Sequence, residues 1–247
     1  MHRFFIPSLD PGDDTAALPK DEAEHATRVL RLGAGDAIAV FDGRGNEYLA
    51  EIVAAPGKRD VRVRLQSRID PSPEPAVPLT LVQAVLKSDK MDDVVRDAVM
   101  LGVVAIQPVV TARSETTVAA LLRSNRVDRW QRVALASTKQ SRRATLSDIR
   151  TPLTLDTYLD EPAAALRLLL VEPDPRLDSE ALSALRTERP PADAAVLIGP
   201  EGGWTEAECA AARSKGCRLM TFGARTLRAD AVPVAVISIL QFLWDRG

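Results

Sequence analysis

The residues best suited to chemistry lie in two glycine-containing stretches near the end of the chain. The first is Ile198-Gly199-Pro200-Glu201-Gly202-Gly203-Trp204, set between a buried-strand pattern and a helix start. Glycine has no side chain and tolerates positive φ, so such a turn lets backbone come close to a ligand. In an open α/β sheet, small molecules bind at the carboxyl ends of the strands, where this turn falls. Three glycines alone leave two readings open: a turn that grips a ligand, or a tight connection with none. The second stretch, Phe222-Gly223-Ala224-Arg225-Thr226-Leu227-Arg228-Ala229-Asp230, also follows a strand and precedes a helix. Neither the G-x-G-x-x-G nor the P-loop pattern is present, which argues against dinucleotides and nucleoside triphosphates. Glu201, Asp230 and Arg228 are the titratable groups with catalytic potential here. Their bland alternatives are a carboxylate bracing backbone amides near a helix start for Glu201, and an Arg228–Asp230 ion pair.

Little else in the chain competes for a chemical role. His2 and His25 are the only histidines and Cys209 and Cys217 the only cysteines. Neither set has the spacing of a metal site or a disulfide framework, so no metal and two reduced thiols are expected.

The elements that must carry the two turns read as an alternation of strands and helices. Leu79–Leu86, Val103–Val109, Leu168–Val171, Ala195–Ile198 and Arg218–Phe222 have the short apolar runs of buried strands. Between them, Asp89–Leu101 places Met91, Val94, Val95, Ala98 and Leu101 on one helical face, and helices are expected around Val127–Gln140 and Ser179–Arg186. Thr205 and Glu208 form a capping box, which predicts a helix from Thr205 to about Gly216. Pro233 suits the first turn of a last helix, Val234–Trp244, apolar on nearly every side and therefore expected to be buried in the domain or against another subunit. This alternation predicts a mostly parallel α/β sheet.

A different rhythm precedes Asp70. Ala37–Phe41, Tyr48–Val53 and Val61–Leu65 are β-rich and separated by Asp42-Gly43, Gly45-Asn46 and Pro56-Gly57, which predicts a small β-barrel or sandwich with one helix over Pro19–Leu32. Prolines at 71, 73, 75 and 78 make a stiff connector, so domains are expected at 1–72 and 73–247. The 247 residues, 46% hydrophobic, suffice for real cores. A formal charge of -2, from 32 basic and 34 acidic residues, gives no global sign of nucleic-acid binding, so any such contact rests on local basic patches. No apolar run reaches the ~18 residues of a membrane span, and a soluble, cytoplasmic protein is expected.

Taken together, the two turns and the apolar helix behind them resemble the 16S ribosomal RNA uridine-N3 methyltransferase family, whose members carry GPEGG followed by an LG-x-R-ILR-TETA-like run. Arg3-Phe4-Phe5, His25 with Val29-Leu30-Arg31, Lys87 with Lys90, Leu101-Gly102-Val103, Arg113-Ser114, Arg129-Trp130 and Gln140-Ser141-Arg142-Arg143 agree in order and spacing. The resemblance covers nearly the whole chain.

It implies a PUA-like barrel for RNA, then a SPOUT α/β domain with a deep C-terminal trefoil knot, an obligate homodimer, and S-adenosylmethionine as cofactor, released as S-adenosylhomocysteine. Cofactor contacts are then expected from Ile198, Gly199, Pro200, Glu201, Gly202, Gly203, Phe222, Gly223, Thr226, Leu227 and Arg228. Asp230 or Glu201 would take the uridine N3 proton, with Arg228 steadying charge on a uracil oxygen. Arg3, His25, Arg28, Arg31, Lys87, Lys90, Arg113, Lys139, Arg142 and Arg143 are the expected contacts to 16S rRNA or the small ribosomal subunit. The chain departs from the family where Val99-Met100 replaces a Thr-Glu pair and Ala229–Val232 replaces TETA, losing two hydroxyls. Two alternatives stand beside this reading: methylation of another position such as ribose 2'-O, and a non-catalytic RNA-binding assembly factor.

Overall fold

A computed structural model describes residues 1–57 and 60–245, and the chain divides into two compact units. The first comprises Met1–Pro73 together with Thr138–Leu146. Its strands are β1 (Arg3–Phe5), β2 (Thr15–Ala17), β3 (Ala37–Phe41), β4 (Glu47–Gly57) and β5 (Asp60–Ile69), with α1 (Lys20–Glu24) after β2. They make a half-barrel in the order β1-β3-β4-β5-β2, with β1 parallel to β3 and the other pairs antiparallel. Alternation along β5 turns Val61 and Val63 inward, where they join Phe4, Ile6, Ile38, Val40 and Ile52 in the core.

The helix expected over Pro19–Leu32 is shorter and changes character. After α1 the chain forms a π-helical turn, His25–Val29, which buries Ala26 and leaves Val29 exposed. Thr138–Leu146 joins this unit through polar contacts that no local pattern announces. The Arg3 guanidinium donates to both oxygens of Glu47 at 2.8 and 2.9 Å and to the carbonyls of Thr138, Lys139 and Arg143.

The second unit holds eight parallel strands: β6 (Leu79–Ala84), β7 (Ala105–Val110), β8 (Asp148–Ile149), β9 (Leu153–Thr154), β10 (Leu166–Val171), β11 (Glu180–Ala181), β12 (Ala194–Ile198) and β13 (Arg218–Thr221). Their order is β11-β13-β10-β12-β6-β7-β8, with β9 beside β7. Helices α2 (Lys90–Met100), α3 (Val118–Arg123) and α7 (Val232–Trp244) contribute to the apolar core on one face, as does the second-unit part of α4 (Arg126–Gln140). On the opposite face lie α5 (Leu155–Asp160) and α6 (Glu206–Ser214). Burial on both faces explains why these strands read as continuous apolar runs.

Where a helix was expected over Ser179–Arg186, the chain forms β11 and then a 3-10 turn, Leu182–Thr187. The cause is nonlocal: Glu180 and Ala181 pair with Met220 and Thr221, and Arg218 bridges Glu180 and Glu188. β13 thus lies between β10 and β11, two strands made earlier in the chain.

The last helix is not buried all round. Val236, Ile237, Leu240 and Trp244 enter the core, whereas Val234, Ser238 and Phe242 form an exposed stripe, with Phe242 81% exposed.

Candidate active site

Parallel strands place all their carboxyl ends on one edge, so the segments after β6, β7, β10, β12 and β13 can meet there. A cavity of about 390 Å³ opens at this edge, lined by Leu170–Leu177, Ile198–Trp204, Phe222, Arg225–Leu227, Ala229 and Val232, with Arg113 and Cys209. Both glycine stretches therefore face one space. Of the expected contacts, Ile198, Gly199, Pro200, Glu201, Gly202, Gly203, Phe222, Thr226 and Leu227 line it; Gly223 and Arg228 lie outside the lining.

The first turn is locked by its neighbours. Gly203 donates to the Pro200 carbonyl at 2.9 Å and has φ +68°, a conformation costly for other residues. The Trp204 indole donates to the Leu170 carbonyl at 2.8 Å, and its ring stands where a side chain at position 199 would begin. Beside Gly202 runs the Arg113 side chain, whose guanidinium donates to the Gly202 carbonyl at 2.5 Å. A Cβ at position 202 would meet the Arg113 Cβ and Cδ at 3.3 Å. Backbone approach is thus required here by the packing.

Glu201 is a brace with a charge. Its carboxylate accepts from the Lys90 ammonium at 2.9 Å and from the Lys87 amide at 3.2 Å. Burial pushes its pKa up, but these bonds and its own amide outweigh that and hold it below the usual glutamate value. The capping box is formed as expected and reaches further. Glu208 accepts from the Thr205 amide and hydroxyl through Oε2 and from the Ala112 amide, at 2.9 Å, through Oε1.

The second stretch is looser. Residues 223–228 are exposed, and the side-chain bonds there join Arg228 to Asp230 at 3.1 Å. That guanidinium, foremost, holds the Asp230 carboxyl below its ordinary value, so the ion pair expected as the bland role is present. Asp230 stands outside the cavity lining.

One wall went unread in the sequence: Glu172–Leu177, the segment after β10, together with Arg225. Arg176 beside it holds the Asp174 carboxyl down to about 2. The strand Leu168–Val171 ending at the shared edge was the available signal.

The expected RNA contacts fall into different settings. Arg3 and Lys139 pair with Glu47 and Glu22 within the first unit, and the Arg143 side chain is buried, 3% exposed. His25, Arg28, Arg31 and Arg142 are exposed, Arg28 pairing with Glu24. In the second unit, Lys87 pairs with Glu115 and Lys90 with Glu201. Arg113, expected on RNA, instead walls the cavity.

With this geometry in view, an RNA methyltransferase domain family matches residues 72–241 and an RNA methyltransferase PUA domain family matches residues 18–66. The chain belongs to the RNA methyltransferase family. Among relatives of this methyltransferase chain, a Ribosomal RNA small subunit methyltransferase E from Synechocystis sp. is 32% identical, over 94% of this chain and 74% of the relative. A solved Ribosomal RNA small subunit methyltransferase E from Neisseria gonorrhoeae, bound to S-adenosyl methionine, shares 29% identity, covers 99% of this chain and 98% of its own, and superposes with a TM-score of 0.87. A Legionella pneumophila structure with bound SAM gives 26% identity, 97% and 96% coverage and a TM-score of 0.86. These likenesses extend to both units of the methyltransferase, the half-barrel and the parallel sheet. Among the described residues no cluster of His, Cys, Asp and Glu could hold a metal ion, and no helix is long and apolar enough to cross a membrane.

Proposed function

We propose that this chain transfers the methyl group of S-adenosylmethionine to N3 of a uridine in 16S ribosomal RNA, in the decoding region of the small subunit. One observation carries the reading: the turns after β12 and β13 line a single cavity. Its volume lies in the range of small-molecule pockets. The lining suits an adenosine bearing an amino acid, with Leu170, Ile198 and Leu227 for apolar contact and glycine backbone for polar contact.

When bound, the cofactor supplies an electrophilic methyl on a sulfonium, leaving the protein to bind, orient and handle a proton. The glycine turn and Glu172–Leu177 bind and shield the donor from water. Asp230, ionised at neutral pH, accepts the N3 proton at a carboxylate oxygen. Arg228 steadies the charge left on a uracil oxygen, and Glu201 holds the segment after β6 in place.

For RNA, His25, Arg28, Arg31 and Arg142 on the first unit and Lys87 on the second offer exposed contacts to phosphate. The chain works as a homodimer in the cytoplasm, where ribosomal subunits are; the exposed stripe Val234, Ser238, Phe242 supports pairing through α7. Phe242→Arg is expected to shift the protein to monomer in analytical ultracentrifugation, and an unshifted dimer would remove α7 from the interface. The activity is tested with labelled S-adenosylmethionine and unmodified small subunits, followed by mass-spectrometric mapping. N3-methyluridine at one 16S site is expected. A ribose 2'-O product, or RNA binding with no transfer, would overturn the proposal.

A further inference from the structure

We propose that Glu208, beyond capping its helix, is a positioning residue for the cofactor site: it holds Ala112–Arg113 so that the arginine closes on the glycine turn. The carboxylate is buried and both oxygens are used. Oε2 takes the two donors of Thr205 at 2.7 and 2.9 Å, which is the ordinary cap. Oε1 takes the Ala112 amide at 2.9 Å, 96 residues away in sequence, and a cap does not need that bond. The next residue, Arg113, donates to the Gly202 carbonyl and stands against Gly202. Glu208 and Arg113 thus join the loop after β7 to both ends of the segment Gly202–Glu208, within which the cofactor turn meets α6.

The chemistry of an amide replacement isolates the second role. In Glu208→Gln one oxygen remains. If it keeps the Thr205 donors, the new NH2 faces the Ala112 N–H, donor against donor, and the loop is pushed away. The inference rests on the reading that this cavity holds the methyl donor, so the variants are chosen to separate the two.

Calorimetric titration with S-adenosylhomocysteine tests it on the full chain. With that bond lost, the loop spends less time in the position that closes on the glycine turn, and affinity falls by the fraction so displaced; Glu208→Gln is expected to weaken binding by about tenfold. Ala112→Pro removes the same bond from the donor side with the cap intact and is expected to match it, which covers a Glu208→Gln that fails to fold. Thr205→Ala, which damages the cap and takes one hydroxyl from Glu208 Oε2 but leaves the Ala112 bond and the Thr205 amide in place, is expected to lower the melting temperature and leave affinity within about twofold. Arg113→Ala is expected to weaken binding, and adding Glu208→Gln to it to weaken binding no further. Unchanged affinity in both Glu208→Gln and Ala112→Pro, equal loss in Thr205→Ala, or full additivity with Arg113→Ala would each overturn the positioning role. Unchanged affinity in Arg113→Ala and Gly202→Val together would instead overturn the assignment of the cavity.

Discussion

The two glycine loops that line the cavity differ in how they are held. Ile198–Trp204 is fastened from every side: by Lys87 and Lys90 through Glu201, by Arg113 through the Gly202 carbonyl, and by Leu170 through Trp204. Phe222–Asp230 has its local Arg228–Asp230 pair and six exposed residues in succession. A loop fixed before binding spends little entropy on a ligand, whereas a loop whose middle is exposed, anchored by Phe222 and Ala229 against the core, is ordered more by what it touches. On the proposed function, the first loop would bind the donor and the second would complete the site once donor and base are present.

That contrast is open to breaking. The largest effect is expected from Asp230→Asn in the loose loop: turnover down about a hundredfold or more, with S-adenosylhomocysteine affinity unchanged. Full turnover in single-turnover assays would move the proton acceptor elsewhere. Gly202→Val in the fixed loop is expected to do the reverse, costing about ten- to a hundredfold in affinity because its side chain crowds Arg113 and displaces it from the turn. Equal affinity by calorimetry would show that the first loop yields as readily as the second.

The smallest effect concerns pH. Because the folded Glu201 carboxyl lies below its ordinary value, its contribution to stability is fully present above the unfolded glutamate pKa of about 4.3 and is lost as pH falls through the folded value. Glu201→Gln is expected to flatten the fall in melting temperature below that pH, and an unaltered slope would mean that the brace carries no net stability.

Much of the site was legible because its signals are local. The glycine turn, the Thr205–Glu208 box and the apolar face of α2 each depend on residues within a few positions, where backbone geometry and helical spacing act directly. The Glu172–Leu177 wall was not legible, since nothing in its own sequence says that the strand before it ends beside β12 and β13. The charges were the least legible. Arg142 and Arg143 are neighbours in one basic run, yet one is exposed and the other buried.

By itself the sequence determined the main strands of the sheet core, the helices α2, α4, α6 and α7 and where the two turns fall, because apolar periodicity, glycine and capping chemistry are written in adjacent residues; the family came from the resemblance of the two turn motifs. Only the tertiary structure decided that Ser179–Arg186 yields β11 and a 3-10 turn, that Arg3 and Lys139 pair within the first unit while Arg143 is buried, and that Arg113 meets Gly202. In each case the partner lies tens of residues or more away, and ion pairs, strand pairing and burial exist only once the chain has brought those partners together.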